Sequence, residues 1–170
     1  MMPPSDQDGR PGGIPRPRPG GATGPHAAAD LRFDLPAELV APSIARERVE
    51  RWLHDLRWPA EQLEDLVLAL SEAVSNSVEH GYGVNTRTTP SSTDSATVQV
   101  EGRVVAGAGG ERRVVFTVRD RGRWRAPVAP AHFRGHGLNI IRACADDVSI
   151  DGDDSGTTLT LTSRPAPTEA

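Results

Sequence analysis

Four short segments of this chain carry residue types able to do chemistry. The first is Glu72-x-x-x-Asn76. On a helix, residues four apart project from one face, one turn apart. A carboxylate there can take a proton from a hydroxyl nucleophile. An amide oxygen beside it is a hard ligand suited to Mg²⁺, which usually keeps several waters and shares substrate phosphates. The second segment is Asp120-x-Gly122, where an acid directly follows an apolar strand pattern and Gly122 marks a sharp turn open to close approach of a ligand. The third is Arg134-Gly135-His136-Gly137-Leu138. Glycines at the mouth of a helix expose free N–H groups at its positive end, which suits an anion. The fourth is Gly156-Thr157-Thr158, which enters a strand. Each segment alone has an ordinary structural reading: a solvated helix face, an Asp turn, a helix start, a hairpin turn.

The surrounding periodicity sets these segments in order. Leu31, Phe33 and Leu35 alternate with polar residues, as in a strand. Pro42 and Ser43 open a helix with Ile44, Val49, Trp52, Leu53 and Leu56 on one face, broken at Trp58-Pro59. A second helix spans Pro59 to His80, with Leu63, Leu66, Val67, Leu70, Val74, Ser77 and Val78 as its packed stripe. Glu72 and Asn76 lie opposite that stripe, flanked by the small Ala69 and Ala73, and Gly81 and Gly83 end the helix. Val98–Val104 and Val114–Val118 form two antiparallel strands, joined by a turn that Gly107, Gly109 and Gly110 supply. Gly137 opens a third helix through Leu138, Ile141 and Ala145, and strands follow around Val148–Ile150 and Thr157–Thr162. The order β-α-α-β-β-loop-α-β-β predicts an α+β sandwich: one mixed, mostly antiparallel sheet with helices on one face.

Composition narrows the function. All 19 basic residues are Arg, because the chain contains no Lys. That excludes Schiff-base chemistry and the Walker A loop, whose Lys reaches the nucleotide phosphates. A net charge of −4 argues against a dedicated nucleic-acid binder. No apolar run approaches the ~20 residues of a membrane helix. With no secretory leader and a single cysteine, Cys144, the expectation is a cytoplasmic protein. Residues 1–29 hold six of the 17 glycines and seven of the 15 prolines, so they are expected to be a disordered tail. Residues 30–162 form the expected domain, the polar segment 85–95 a loop, and residues 163–170 a second short tail.

Taken together, the four segments resemble the Bergerat ATP-binding fold of gyrase, histidine kinases and MutL. The run Leu70-Ser-Glu-Ala-Val-Ser-Asn-Ser-Val-Glu-His-Gly-Tyr-Gly83 is similar to the N-box of anti-sigma factor serine kinases of the RsbW/SpoIIAB type. The resemblance covers roughly Leu31 to Leu161. It implies ATP and Mg²⁺ as cofactors, with Asn76 holding the metal and Glu72 acting as base toward a serine hydroxyl. Asp120 would accept from the adenine amino group, Gly122 would allow close approach, and Thr157 would support the base. Gly135 and Gly137 would let backbone N–H groups meet phosphate, with Arg134 and Leu138 also at the nucleotide, and the segment Arg121 to His136 would be the lid. Where the family often has another glycine two residues after Gly122, this chain has Trp124. The partners implied are a STAS-type anti-anti-sigma protein and a sigma factor, without direct nucleic-acid or membrane contact and with room for a homodimer.

A partner-sequestering module with little turnover would use the same nucleotide site. The catalytic domain of a histidine kinase is a weaker reading, since no phosphoacceptor helix precedes the core. The arginines at 112, 113, 119, 121, 123 and 125 read first as a solvated strand face and lid, then as a phosphate contact. His80 and His136 read as a helix-end cap and a lid side chain, and Cys144 as a packed residue of its helix.

Overall fold

The computed structural model describes residues 30–84, 96–107, 109–122 and 136–168. The N-terminal tail, the 85–95 loop and most of the expected lid, including Trp124, Arg134 and Gly135, lie outside them. The described chain runs β1 (Leu31–Pro36), α1 (Ala41–Asp55), α2 (Ala60–Asn76), a π-helical turn (Ser77–Gly81), β2 (Thr97–Ala106), β3 (Glu111–Asp120), α3 (His136–Cys144), β4 (Asp147–Asp153), β5 (Gly156–Thr162) and β6 (Ala166–Pro167). The sheet order is β1-β2-β3-β5-β4, with β6 added on β3. Every described pairing is antiparallel, so the sheet is more uniform than the mixed one expected.

Strand alternation sends one set of residues toward the helices. Leu35, Val98, Val100, Val114, Phe116, Val118, Leu159 and Leu161 are buried. Their neighbours Asp34, Gln99, Thr117, Arg119 and Thr158 point to the open face. At the centre, Phe116 meets Trp52 of α1 edge-on, with ring centroids 5.6 Å apart. Opposite it in the register stands Gly102. A Cβ at Gly102 would lie 2.8 Å from the Phe116 ring, so the absent side chain is what lets the ring reach α1.

α2 buries a wider arc than the stripe read from its sequence. Ala69, Ser71 and Ala73 are buried along with Leu63, Leu66, Val67, Leu70 and Val74, because α2 packs against both α1 and α3 as well as the sheet. The expected small-residue flank of a ligand space is therefore core. The helix also ends differently. Its α-helical hydrogen bonding stops at Asn76, and the next turn widens into a π turn, closed by Tyr82 N–H to Ser77 O at 3.3 Å. π turns are rare and concentrate at functional sites.

Two further expectations are corrected. Residues 163–168 are not a loose tail: Ser163 and Ala166 are 1% exposed and β6 pairs with the start of β3. Arg112 and Arg113 are not simply solvated. Arg112 donates to Leu56 O at 2.9 Å, Arg57 O at 3.0 Å and Pro167 O at 3.1 Å, and stacks over Trp58. Arg113 pairs with Asp146 and donates to Ser163 O. These guanidiniums tie the α1–α2 corner and the C-terminal segment to β3. Cys144 packs as expected, and burial pushes its thiol up, away from the reactive thiolate.

Phe116→Ala should cost about 3–5 kcal/mol, the range for emptying a fully buried aromatic site. Chemical denaturation followed by circular dichroism reads this directly. A loss under about 1 kcal/mol would mean that the Phe116–Trp52 contact is not central to the core.

Candidate functional site: a caged carboxylate and the face of α2

Asp120 is the last inward position of β3, following Val114, Phe116 and Val118 at intervals of two. Alternation alone thus delivers a carboxylate into a row of core residues, and it is 6% exposed. A buried carboxylate needs donors. The Gly122 N–H donates to Asp120 Oδ1 at 3.0 Å. The Ser77 hydroxyl and the Thr157 N–H supply two more, from the π turn and from β5. Thr157 arrives there because β5 pairs with β3, which puts it directly opposite Asp120. Burial still dominates and holds the carboxyl above its ordinary range, and the three hydrogen bonds offset part of that shift.

Glycines make the cage possible. A Cβ at Gly81 would lie 2.9 Å from Asp120 Oδ1, and one at Gly122 would lie 2.1 Å from Gly81 O. Gly156 has φ +143° and its Cβ would stand 2.0 Å from Asp120 O. The three segments meet backbone to backbone around one acid. Of these residues, Gly122 and Thr157 were expected near Asp120. The sequence pattern places Ser77 in the packed stripe and Gly81 at the helix end, while Gly156 belongs to the fourth chemistry-bearing segment. The signal available for Asp120 itself was its parity within β3.

The other half of the site lies on α2. Glu72 and Asn76 are half-buried on the strip that the core leaves free. The first turn of α3 stands over both. A Cβ at Gly137 would lie 3.2 Å from Asn76 Oδ1 and 3.2 Å from Glu72 Oε2. Residues far apart in sequence are thereby brought together as a carboxylate, an amide and the amide-rich end of a helix. Such a set can hold a phosphate group and a hard cation beside a proton acceptor. Leu138, one residue further into α3, packs half-buried against the core. A depression of about 770 Å³ is bordered by Asp34, Gln99, Arg119 and Asp151 and also by Asp120, Gly156 and Thr157 of the cage, whereas neither Glu72 nor Asn76 lines it.

Comparison with known proteins places this fold in a family. Residues 35–163 match the histidine kinase-like ATPase domain. The chain belongs to that family. It is 31% identical over 146 residues to the anti-sigma F factor of Bacillus subtilis, covering 78% of this chain and 90% of that protein. It is 25% identical over 142 residues to the serine-protein kinase RsbW of Bacillus licheniformis, covering 80% and 86%. Among solved structures it is similar to the RsbU and RsbW domains of Rv1364c from Mycobacterium tuberculosis, with TM-score 0.59 and 30% identity over 82% of this chain. The similarity spans 34% of that longer chain. No helix among the described residues is long and apolar enough to cross a membrane.

The raised pKa of Asp120 has a signed consequence. A folded-state pKa above the unfolded value contributes stability at low pH that is lost as pH rises through the folded pKa. Asp120→Asn cannot ionise and escapes that loss. The melting temperature of Asp120→Asn relative to wild type should therefore climb between pH ~4 and pH ~7. A flat or falling difference across that window would contradict the burial-dominated environment. Gly122→Ala, by contrast, should unfold or badly distort the turn, because its Cβ meets fixed backbone.

Proposed function

We propose that this chain is an ATP-dependent serine protein kinase that also acts as an anti-sigma factor. In this reading it phosphorylates a small STAS-type anti-anti-sigma protein and sequesters a sigma factor when that partner is absent. The observation carrying the reading is the convergence of Glu72, Asn76 and Gly137, apart from the Asp120 cage. One place suits the phosphates and the reacting hydroxyl, and the other suits the adenine. The names of the two Bacillus relatives, a serine-protein kinase and an anti-sigma factor, supply the two halves of the activity.

The residues fit the nucleotide and its ion. Asp120 is a carboxylate acceptor at the end of β3, the group type that can accept from the exocyclic amino group of a purine. The Asn76 amide oxygen is a hard donor on the strip facing α3, suited to hold Mg²⁺ beside the phosphates. Bound Mg·ATP supplies the phosphoryl group and neutralises its charge. The chain's own work is then positioning and proton transfer, the usual division of labour in phosphoryl transfer. Glu72 orients the incoming serine hydroxyl and accepts its proton on a carboxylate oxygen. The N–H groups at the start of α3 stabilise negative charge on the phosphates. Thr157 holds Asp120 through its backbone and faces the base from β5. Gly135 and Arg134, outside the described residues, complete the phosphate-binding segment in this reading.

Glu72→Gln keeps size and polarity but cannot take the proton. ATP affinity should stay near wild type, while transfer to serine falls about 10²–10⁴-fold, the usual worth of a general base. Asn76→Ala should weaken Mg²⁺-dependent ATP binding without unfolding the chain. Calorimetry and transfer of labelled phosphate to STAS proteins from the same genome measure both. If wild-type protein captures a sigma factor in an ATP-dependent way but phosphorylates no partner, the protein is a sequestering module and the kinase reading fails.

A further inference from the structure

Tyr82 follows the π turn, and its ring packs half-buried against the core. Its hydroxyl donates to Thr97 O at 2.8 Å and accepts from the Arg121 N–H at 2.9 Å. Those two partners have a particular relation. The β2–β3 ladder ends with Val98 opposite Asp120, and its next pair would be Thr97 with Arg121. The carbonyl of Thr97 does face β3. Ala96 O accepts from Ala37 N–H on the β1 side at 2.9 Å, and strand backbone alternates, so the following carbonyl turns the other way. Tyr82 Oη thus stands where the next direct ladder bond, Arg121 N–H to Thr97 O, would close. It relays that bond through one oxygen and holds the strand ends apart.

The splaying happens one residue after Asp120. It ends β3 there and frees the chain to turn at Gly122, whose N–H returns to Asp120 Oδ1. Gly122 in turn fits against Gly81 O, and Gly81 immediately precedes Tyr82. One side chain therefore sets both walls of the Asp120 cage: the strand end that carries the acid and the π turn that lies against it.

We propose that Tyr82 is a positioning residue that determines base selection. Its hydroxyl wedge holds the Asp120–Gly122 turn in the geometry that offers the carboxylate to the exocyclic amino group of a purine. This rests on the reading of Asp120 as the base-recognising acid. Removing the hydroxyl lets Arg121 bond Thr97 directly, so the ladder closes by one more pair and draws the turn away from Gly81.

Tyr82→Phe is the direct test, read by calorimetry with ATP and with purine riboside triphosphate, which lacks the 6-amino group. ATP affinity should fall about three- to tenfold, the worth of one hydrogen bond of this kind. Affinity for the analogue should change far less, so the preference for ATP shrinks. A general loss of structure would lower both together, and that result, or an unchanged preference, overturns the proposal. Wild-type protein that itself shows no preference for ATP over the analogue would instead overturn the reading of Asp120. Tyr82 is the one tyrosine of the chain, so 3-fluorotyrosine labelling gives a single ¹⁹F signal without mutation. Saturating ATP should shift that signal more than the analogue does. An ATP-insensitive signal in protein that binds ATP refutes the positioning role even if Tyr82→Phe does not fold.

Discussion

A carboxylate buried at the end of a core row is the constraint that organises this molecule. Asp120 cannot stay there unless polar groups come to it, because an unpaired buried acid costs several kcal/mol or stays protonated. Its three donors come from three parts of the chain: the π turn, the turn after β3, and β5. Each imposes a condition. The π turn must widen after Asn76 so that Ser77 and Gly81 reach the acid. The turn after β3 must be glycine, because it packs on the Gly81 backbone. β5, and not β4, must lie beside β3 so that Thr157 stands opposite. Burial still raises its pKa despite those partners, so the charged form is held there at a cost in stability.

The other half of the site depends on α2 being nearly surrounded. α1, α3 and the sheet all pack against it, so only a narrow strip stays free. Glu72 and Asn76 occupy that strip one turn apart. Their backbone is held by one of the best-packed elements of the fold, with Leu66, Leu70 and Val74 at 1%, 0% and 0% exposure. Side chains fixed to such a helix keep their place far better than those on a loop. α3 approaches so closely at Gly137 that a Cβ there would press on the ends of both polar side chains at 3.2 Å.

Away from the site, arginine takes structural work that a lysine could not share equally. The planar guanidinium of Arg112 reaches three carbonyls and still covers the Trp58 ring. A lysine ammonium has neither the fork nor the flat face for that combination. This clamp and the β6 pairing bring residues 163–168 into the fold, close to the corner where α1 passes into α2. The family match ends at residue 163, where this added segment begins.

Local periodicity determined the types and order of the main elements and the α+β class, because hydrophobic spacing of about 3.6 or 2 residues is a property of neighbouring positions. It also exposed the chemistry-bearing types: Glu72 and Asn76 one turn apart, an acid at a strand end, glycines before a helix. What it left undecided were the relations between distant segments. Insertion of β5 between β3 and β4 sets Leu161 beside Phe116 and Leu159 beside Val118 in the core, a long-range packing choice with no local mark. The π turn answers to Asp120, a residue far downstream, so α2 read by itself looked like one helix running on to His80. The flank of Ala69 and Ala73 looked open because its covering helices are elsewhere in the chain. The wedge of Tyr82 between Thr97 and Arg121 exists only once β2 and β3 are paired. Residue chemistry was local and legible; the hydrogen-bonding and packing that aim it are products of tertiary contact.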